Sequence, residues 1–470
     1  MPEFDDIPTP PRRRRRRRRR PNYWPIILFL AAVLLVVGIV AVIVHVATHN
    51  PEVPDTTQSS TEGTAASTEP STEPSTEPST PPTEPPVTLV STATVAATGD
   101  MLMHLPCITP ALNATTGEYD FEHYFTYLRD YVSAADYAVA NLETTLCGED
   151  NGYPYHGYPN FNCPDSIVYS LQNVGFDMLL TANNHCYDTH SVGFRRTQQV
   201  LTEAGMAYTG TAAEGQPNYL VVDLNGIRIG MICYTYEDNS DPNVVAPNGQ
   251  TMTDADEVLI NAFNVKELDT FYSNISHQIA DMKSQGTEAI VLYIHWGTEY
   301  QLEQNSTQET IAQKMCDLGV DVIVGGHPHV VQPMDLLTAT EDPAHKTLCI
   351  YSTGNALSNQ RRNLMRLDTG HTEDGVLFSF SFSKYSDGTV RVEGVDLLPL
   401  WVNLHTSSAT GKNVYDVLPL DKEIEDWKTQ LNLSEDALTN AQASYHRTMA
   451  IVGEGLTEIE EYLASLPEIE

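Results

Sequence analysis

Positive charge is scarce in this 470-residue chain: 26 Lys+Arg stand against 62 Asp+Glu, a formal net charge of −36. Nine of those 26 form one unbroken arginine run at residues 12–20, so the remainder is more acidic still. A surface of that sign repels phosphate backbones, which excludes nucleic acid as a partner. Cysteine is also sparse. There are seven, with no CxxC pair among them, which excludes a thiolate zinc knuckle. The odd number leaves at least one thiol unpaired within a monomer, and Cys147 and Cys163 bracket a Gly/Pro/Tyr-rich loop that a disulfide could close. Apolar residues are not lacking: 41% of the chain is hydrophobic, ample at this length to bury a core.

A second absence is local. Residues 26–46, IILFLAAVLLVVGIVAVIVHV, contain no Asp, Glu, Lys or Arg. About 20 such residues span a bilayer as a helix, and Tyr23 and Trp24 precede them where an interfacial anchor would lie. A cleavable signal peptide has an apolar region of about 7–15 residues and a small-residue cleavage site; this stretch is longer and lacks a clear one. With the arginines held inside, the expectation is a single-pass protein of the cell membrane, N-terminus cytoplasmic and C-terminal domain extracellular. Residues 48–87 are Thr, Ser, Glu and Pro, including STEPSTEPSTEPSTPPTEPP. That composition buries no core and favours extended polyproline conformations at roughly 3.1 Å per residue. The expected division is an Arg-rich cytoplasmic tail (1–25), a transmembrane helix (26–47), a disordered stalk (48–87), a folded domain (88–420) and a helical C-terminal tail (421–470).

Within the folded region, short β-branched runs read as buried strands at 94–98, 137–140, 178–181, 229–234, 289–294, 320–324 and 348–352. Between some of them lie helical patterns: Ile311, Met315 and Leu318 before Gly319, and Phe194, Val200, Leu201 and Ala204 before Gly205. Alternation of this kind predicts an α/β fold. Residues 376–383 and 390–397 flank Ser386-Asp387-Gly388 and read as a hairpin.

The polar residues gather where these strands end, in TGDMLMH (98–104), ANLET (140–144), ANNHCYD (182–188), HWGTEY (295–300), GGHPH (325–329) and STGNAL (352–357). Sites in open α/β sheets form at the carboxyl ends of strands. Asn141 and Glu143, two apart, are expected to point to one face, as are His327 and His329 across Pro328. Carboxylates, amides and histidines without cysteine suit Mn, Fe or Zn. One carboxylate can bridge two divalent ions, which together acidify water and clamp the oxygens of an in-line displacement. The leaving group then needs a proton, for which His185 is the natural donor and Asp188 the residue to orient it.

The order GD, ANLE, ANNHxxD, HWGxEY, GGHPHVVQ and TGN, over about residues 92–360, resembles the bacterial capsule-synthesis CapA (poly-γ-glutamate synthesis) proteins of the calcineurin-like metallophosphatase superfamily. The resemblance implies a metallophosphatase-type αββα sandwich with a dinuclear site. Asp100 and His329 would serve the first ion, Glu143 would bridge, and Asn184, His295 and His327 would serve the second. His104 is a further metal candidate, standing further along the chain than the family's Asp-x-His spacing. His185 matches the proton-donating histidine. Glu143 replaces the phosphatases' Asp, and Asn183 their Gly before Asn-His. The implied role is synthesis, export or anchoring of an anionic surface polymer such as poly-γ-glutamate, in partnership with a polymer synthase or export complex. The alternatives are an extracellular metal-dependent phosphoesterase or polymer hydrolase of the envelope, and a non-catalytic polymer-binding domain. Within the acidic folded domain, Arg195, Arg196, Arg361, Arg362 and Arg366 are the only clustered positive residues available to hold a polyanion.

Overall fold

Strand β1 (Leu89–Met101) shows how the chain becomes layered. Ala93, Val95 and Ala97 point into one apolar cluster and Ala96 into another, so both faces of the strand are covered. The computed structural model describes residues 86–467, apart from 238, 409 and 410. The further strands are β2 (Tyr137–Leu142), β3 (Met178–Leu180), β4 (Ala207–Thr209), β5 (Tyr219–Leu224), β6 (Ile227–Glu237), β7 (Ala262–Asn264), β8 (Ala289–His295), β9 (Val322–Gly326), β10 (Met334–Thr338), β11 (Lys346–Ile350), β12 (Asn355–Leu357), β13 (Asp374–Tyr385), β14 (Val390–Thr406) and β15 (Asn413–Pro419). The longer helices are α1 (Ser166–Val174), α2 (His190–Ala204), α3 (Leu268–Ser284), α4 (Ser306–Asp317) and α5 (Glu435–Ser465).

Two mixed sheets result. One runs β15-β14-β13-β1-β2-β3-β4 with β12 beside β1, and the other β10-β11-β9-β8-β6-β5 with β7 beside β6. Strands β1 to β4 are parallel, as are β6, β8, β9 and β11. Parallel neighbours need crossover connections; α1 joins β2 to β3 and α2 joins β3 to β4, while α3 precedes β8 and α4 joins β8 to β9. Phe378, Phe380, Ile229, Met231, Val291 and Tyr293 fill the space between the sheets. Ile167, Leu171 and Val174 of α1 cover the outer face of the first. Phe271, Ile275 and Ile279 of α3, with Ile311 and Met315 of α4, cover the outer face of the second. The molecule is an α/β sandwich of two central sheets with helices outside, and the hairpin expected around residue 387 is the β13–β14 pair.

The expected membrane-spanning helix is not upheld. Among the described residues no helix is long and apolar enough to cross a membrane, and residues 1–85, including the apolar segment, lie outside the described residues. The single-pass topology, the membrane as a partner and the cell-membrane location lose their support with it. The longest described helix, α5, is amphipathic: it buries Ala441, Ser444, Thr448, Val452, Gly455, Leu456 and Ile459 at three- and four-residue spacing. A disulfide between Cys147 and Cys163 is not formed either, since all seven cysteines are free and buried. Asn162 closes that loop instead, its Oδ1 accepting from the Cys147 N–H at 2.8 Å and its Nδ2 donating to the Tyr153 carbonyl at 2.9 Å.

Helix α5 is fastened to the sandwich in two ways. Arg447 and the Ser444 hydroxyl both bond the buried Asp374 carboxylate, at 2.6–2.8 Å, and Gly455 lies flat against β10. A Cβ on Gly455 would sit 1.9 Å from the Met334 carbonyl oxygen, so the helix approaches only because that side chain is absent. Gly455→Val is therefore expected to destabilise the fold by about 1–3 kcal/mol through forced displacement of α5, read as a lower urea midpoint. An unchanged midpoint would show that α5 does not need this approach.

Candidate metal centre

The parallel strands of both sheets bring their carboxyl ends to a common place. Asp100 lies near the end of β1, beside Asn355 of β12. Asn141 lies in β2 with Glu143 just beyond it, residues 183–188 follow β3, and His295 is the last residue of β8. His327 and His329 follow β9. A Cβ at Gly326 would come within 3.0 Å of Asp100 Oδ1, so a glycine is what lets β9 pass this carboxylate. The two histidines converge by a route other than strand alternation. Both have left-handed backbones, φ 94° and 56°, uncommon for residues with a Cβ and a mark of a functional constraint. Their ring centroids are 5.9 Å apart.

Two groups of side chains have ligand atoms within 4.8 Å of one another: Glu143, His295 and His327, and Asp100, Glu143 and His329. All are buried, and Glu143 belongs to both. His295 Nε2 lies 3.6 Å and His329 Nε2 3.8 Å from Glu143 Oε1, too far for hydrogen bonds. Both Glu143 oxygens and His327 Nδ1 are buried with no hydrogen-bond partner. Such atoms are costly unless something else satisfies them, and a divalent cation between an unpaired carboxylate and neutral imidazoles does so. The donor set fits two such ions. Asn184, an expected ligand, places its Oδ1 2.9 Å from His295 Nε2, beside the first group.

A network of uncharged amides positions these residues. Asn141 Nδ2 donates to Asp100 Oδ1 at 2.8 Å, and Asn183 Nδ2 donates to Asn141 Oδ1 at 3.0 Å. Asn355 Oδ1 lies 3.2 Å from His329 Nδ1, while its Nδ2 donates to the Gln360 side chain and to the Thr372 carbonyl. The His327 N–H donates to Asp100 Oδ2 at 3.2 Å. None of these three asparagines was assigned a role from sequence, although each sits in a strand-end motif. Burial, reinforced by Asp100, Glu299 and Asp188, pushes Glu143 well above the usual carboxylate range. Burial and neighbouring histidines hold His295 and His327 well below the usual imidazole range, so both are neutral and able to donate lone pairs.

His185 and Asp188 are in contact, Nδ1 to Oδ2 at 2.7 Å. The same Asp188 oxygen accepts from the Phe161 N–H at 2.7 Å. The Phe161 ring stands between two imidazoles, 4.6 Å from His185 and 5.2 Å from His104. His104 belongs to neither group: its Nδ1 is engaged by the backbone, 3.0 Å from the Leu102 carbonyl and 3.3 Å from the Asn359 nitrogen. Burial lowers its pKa to about 4. The arginines singled out for a polyanion are mostly committed elsewhere. Arg195 pairs with Asp256 and Arg196 with Asp165, while Arg361 and Arg362 both pair with Glu373; Arg366 is exposed.

The strand-end motifs that build this site lie within the span matched by a known family. The family described as bacterial capsule synthesis protein PGA_cap matches residues 94–360. Capsule biosynthesis protein CapA of Bacillus anthracis is 28% identical over 273 residues, 57% of this chain and 60% of that protein. PGA biosynthesis protein CapA of Bacillus subtilis (strain 168) is 26% identical over 280 residues, 58% of this chain and 64% of that protein. The chain thus matches less than two thirds of the length of these relatives.

If the two groups hold cations, Mn²⁺ or Zn²⁺ raises the unfolding free energy by about 2.7 kcal/mol for each occupied site at a hundredfold excess over Kd. Glu143→Gln removes that gain, while leaving the chelated protein at least as stable, because it deletes a buried unpaired carboxylate. Thermal unfolding with and without chelator, alongside elemental analysis, checks both halves.

Proposed function

The chain belongs to the bacterial capsule synthesis protein PGA_cap family, and on that premise we propose that it is a metal-dependent hydrolase with a dinuclear centre. The observation that carries this reading is the shared, unpartnered Glu143 carboxylate, in a site that also contains the His185–Asp188 pair. A membrane-anchored role in polymer synthesis or export is not retained, because the anchor it needed has no support among the described residues.

Asp100, Glu143 and His329 would hold one ion, and Glu143, His295, His327 and the Asn184 carbonyl the other. Ions held there supply Lewis acidity, making water acidic enough to attack near neutral pH and offsetting charge on the electrophile. The protein's own groups do the rest. Asn141, Asn183 and Asn355 fix the ligand side chains by neutral hydrogen bonds. Asp188 anchors His185 through Nδ1, so Nε2 is the nitrogen that delivers a proton to the departing oxygen or nitrogen. His104, engaged by the backbone and packed on Phe161, helps hold the wall behind His185. Phosphodiesters are the first substrate class. Amides of an anionic capsule polymer such as poly-γ-glutamate are the second, favoured by the names of the relatives.

The full chain loaded with Mn²⁺ is expected to cleave a bis-aryl phosphate or poly-γ-glutamate. His185→Ala should lower kcat by about 10²–10⁴ with metal content unchanged. Asp188→Asn should lower it less. Metal bound without turnover of either substrate would overturn the hydrolase in favour of a polymer-binding domain. Undiminished kcat in His185→Ala would remove the proton-donor role.

A further inference from the structure

The segment Gly297–Tyr300 carries two residues, Glu299 and Tyr300, that the chemistry above does not use. It is anchored at Tyr300, which has a left-handed backbone, φ 64°, and whose N–H donates to the Pro328 carbonyl at 2.8 Å. That bond ties the segment to the turn bearing His327 and His329. Beside it opens a cavity of about 460 Å³, lined by Tyr236, Phe263, Trp296, Glu299, Asn305 and His327 among others. The cavity borders the metal centre through His327, whose Nδ1 is one of the unpartnered buried atoms.

The lining contains one carboxylate, several aromatic rings and no Lys or Arg. The lysine closest along the chain, Lys266, bonds the Asn239 carbonyl at 3.0 Å. A carboxylate with aromatic walls attracts an alkylammonium group through charge and ring quadrupoles, and repels a second anion beside the first. We propose that this cavity is a substrate subsite for a cationic or uncharged group next to the bond that is cut, and that Glu299 is its specificity determinant, excluding anionic groups. The proposal rests on the hydrolase reading for the location of that bond, and it narrows the substrate: a polymer carrying a carboxylate on every unit meets repulsion here.

The test uses three methylphosphinate analogues, made non-hydrolysable by CH2 in place of the ester oxygen, with the Mn²⁺-loaded full chain: those of the choline ester, its uncharged isostere 3,3-dimethylbutyl, and 3-carboxypropyl. Calorimetry is expected to give the tightest Kd for choline and the weakest for carboxypropyl, a ratio of about tenfold. E299Q should shrink that ratio to about twofold and E299K invert it, with melting temperatures near wild type because the side chain is exposed. Equal ratios in wild type and E299K, or no binding of any analogue, overturn the subsite. Turnover of a bis-aryl phosphate without analogue preference removes the subsite alone. Analogue preference without turnover of any substrate removes the hydrolase and leaves the subsite standing.

Discussion

The structure depends on one unfavourable burial. Glu143 places a carboxylate between two sheets, with no hydrogen-bond donor for either oxygen and Asp100 close enough to repel it. An unpaired charge in such a setting costs several kcal/mol. The surrounding residues do not relieve this with arginine or lysine. They offer imidazoles held neutral by burial and amides that orient without adding charge. An electrostatic deficit remains, of the kind that a cation held by these groups would offset. Backbone strain at His327 and His329 is consistent with the same end, since two left-handed residues in a row of three are tolerated only where the surroundings hold them.

The architecture explains why this arrangement is stable enough to exist. Parallel strands covered on both faces bring their carboxyl ends together without exposing an edge at the site, and large apolar clusters on either side of each sheet carry the energetic load. Helix α5 adds a further brace through Arg447, Ser444 and Asp374. Several other positive charges among the described residues are used in this way, joining elements. Arg195 and Arg196 of α2 reach Asp256 and Asp165, and Arg361 and Arg362 meet at Glu373. Among the described residues, four of the five arginines that the sequence offered to a polyanion are thus committed to carboxylates.

Much of this was legible in the chain. The buried strands of the parallel core stood out because short β-branched runs ending in polar residues suit a covered strand better than a helix or a loop, and the hairpin of β13 and β14 because Ser-Asp-Gly is a turn. Short strands such as β4, β7 and β12 were not legible: three residues each carry no period, and they form only because a neighbour is already in place. The ligand candidates Asp100, Glu143, Asn184, His295, His327 and His329 stood out as polar residues at the ends of apolar strands. His104 looked equivalent by the same criterion, and only its backbone contacts separate it from the groups around Glu143. The loop between Cys147 and Cys163 looked closable by a disulfide, whereas Asn162 closes it with hydrogen bonds that no spacing rule reveals.

Sequence by itself determined the α/β character of the fold and the motifs from which a metal site could be assembled, because hydrophobic period and residue chemistry are properties of the chain alone. Tertiary structure decided which of those residues meet. That Glu143 is shared by two groups, that Asn141, Asn183 and Asn355 hold the others in place, and that Glu299 faces a cavity beside His327 follow from crossovers that bring together residues far apart along the chain. Distances of that kind are set by how the two sheets pack, and packing is a property of the whole folded chain.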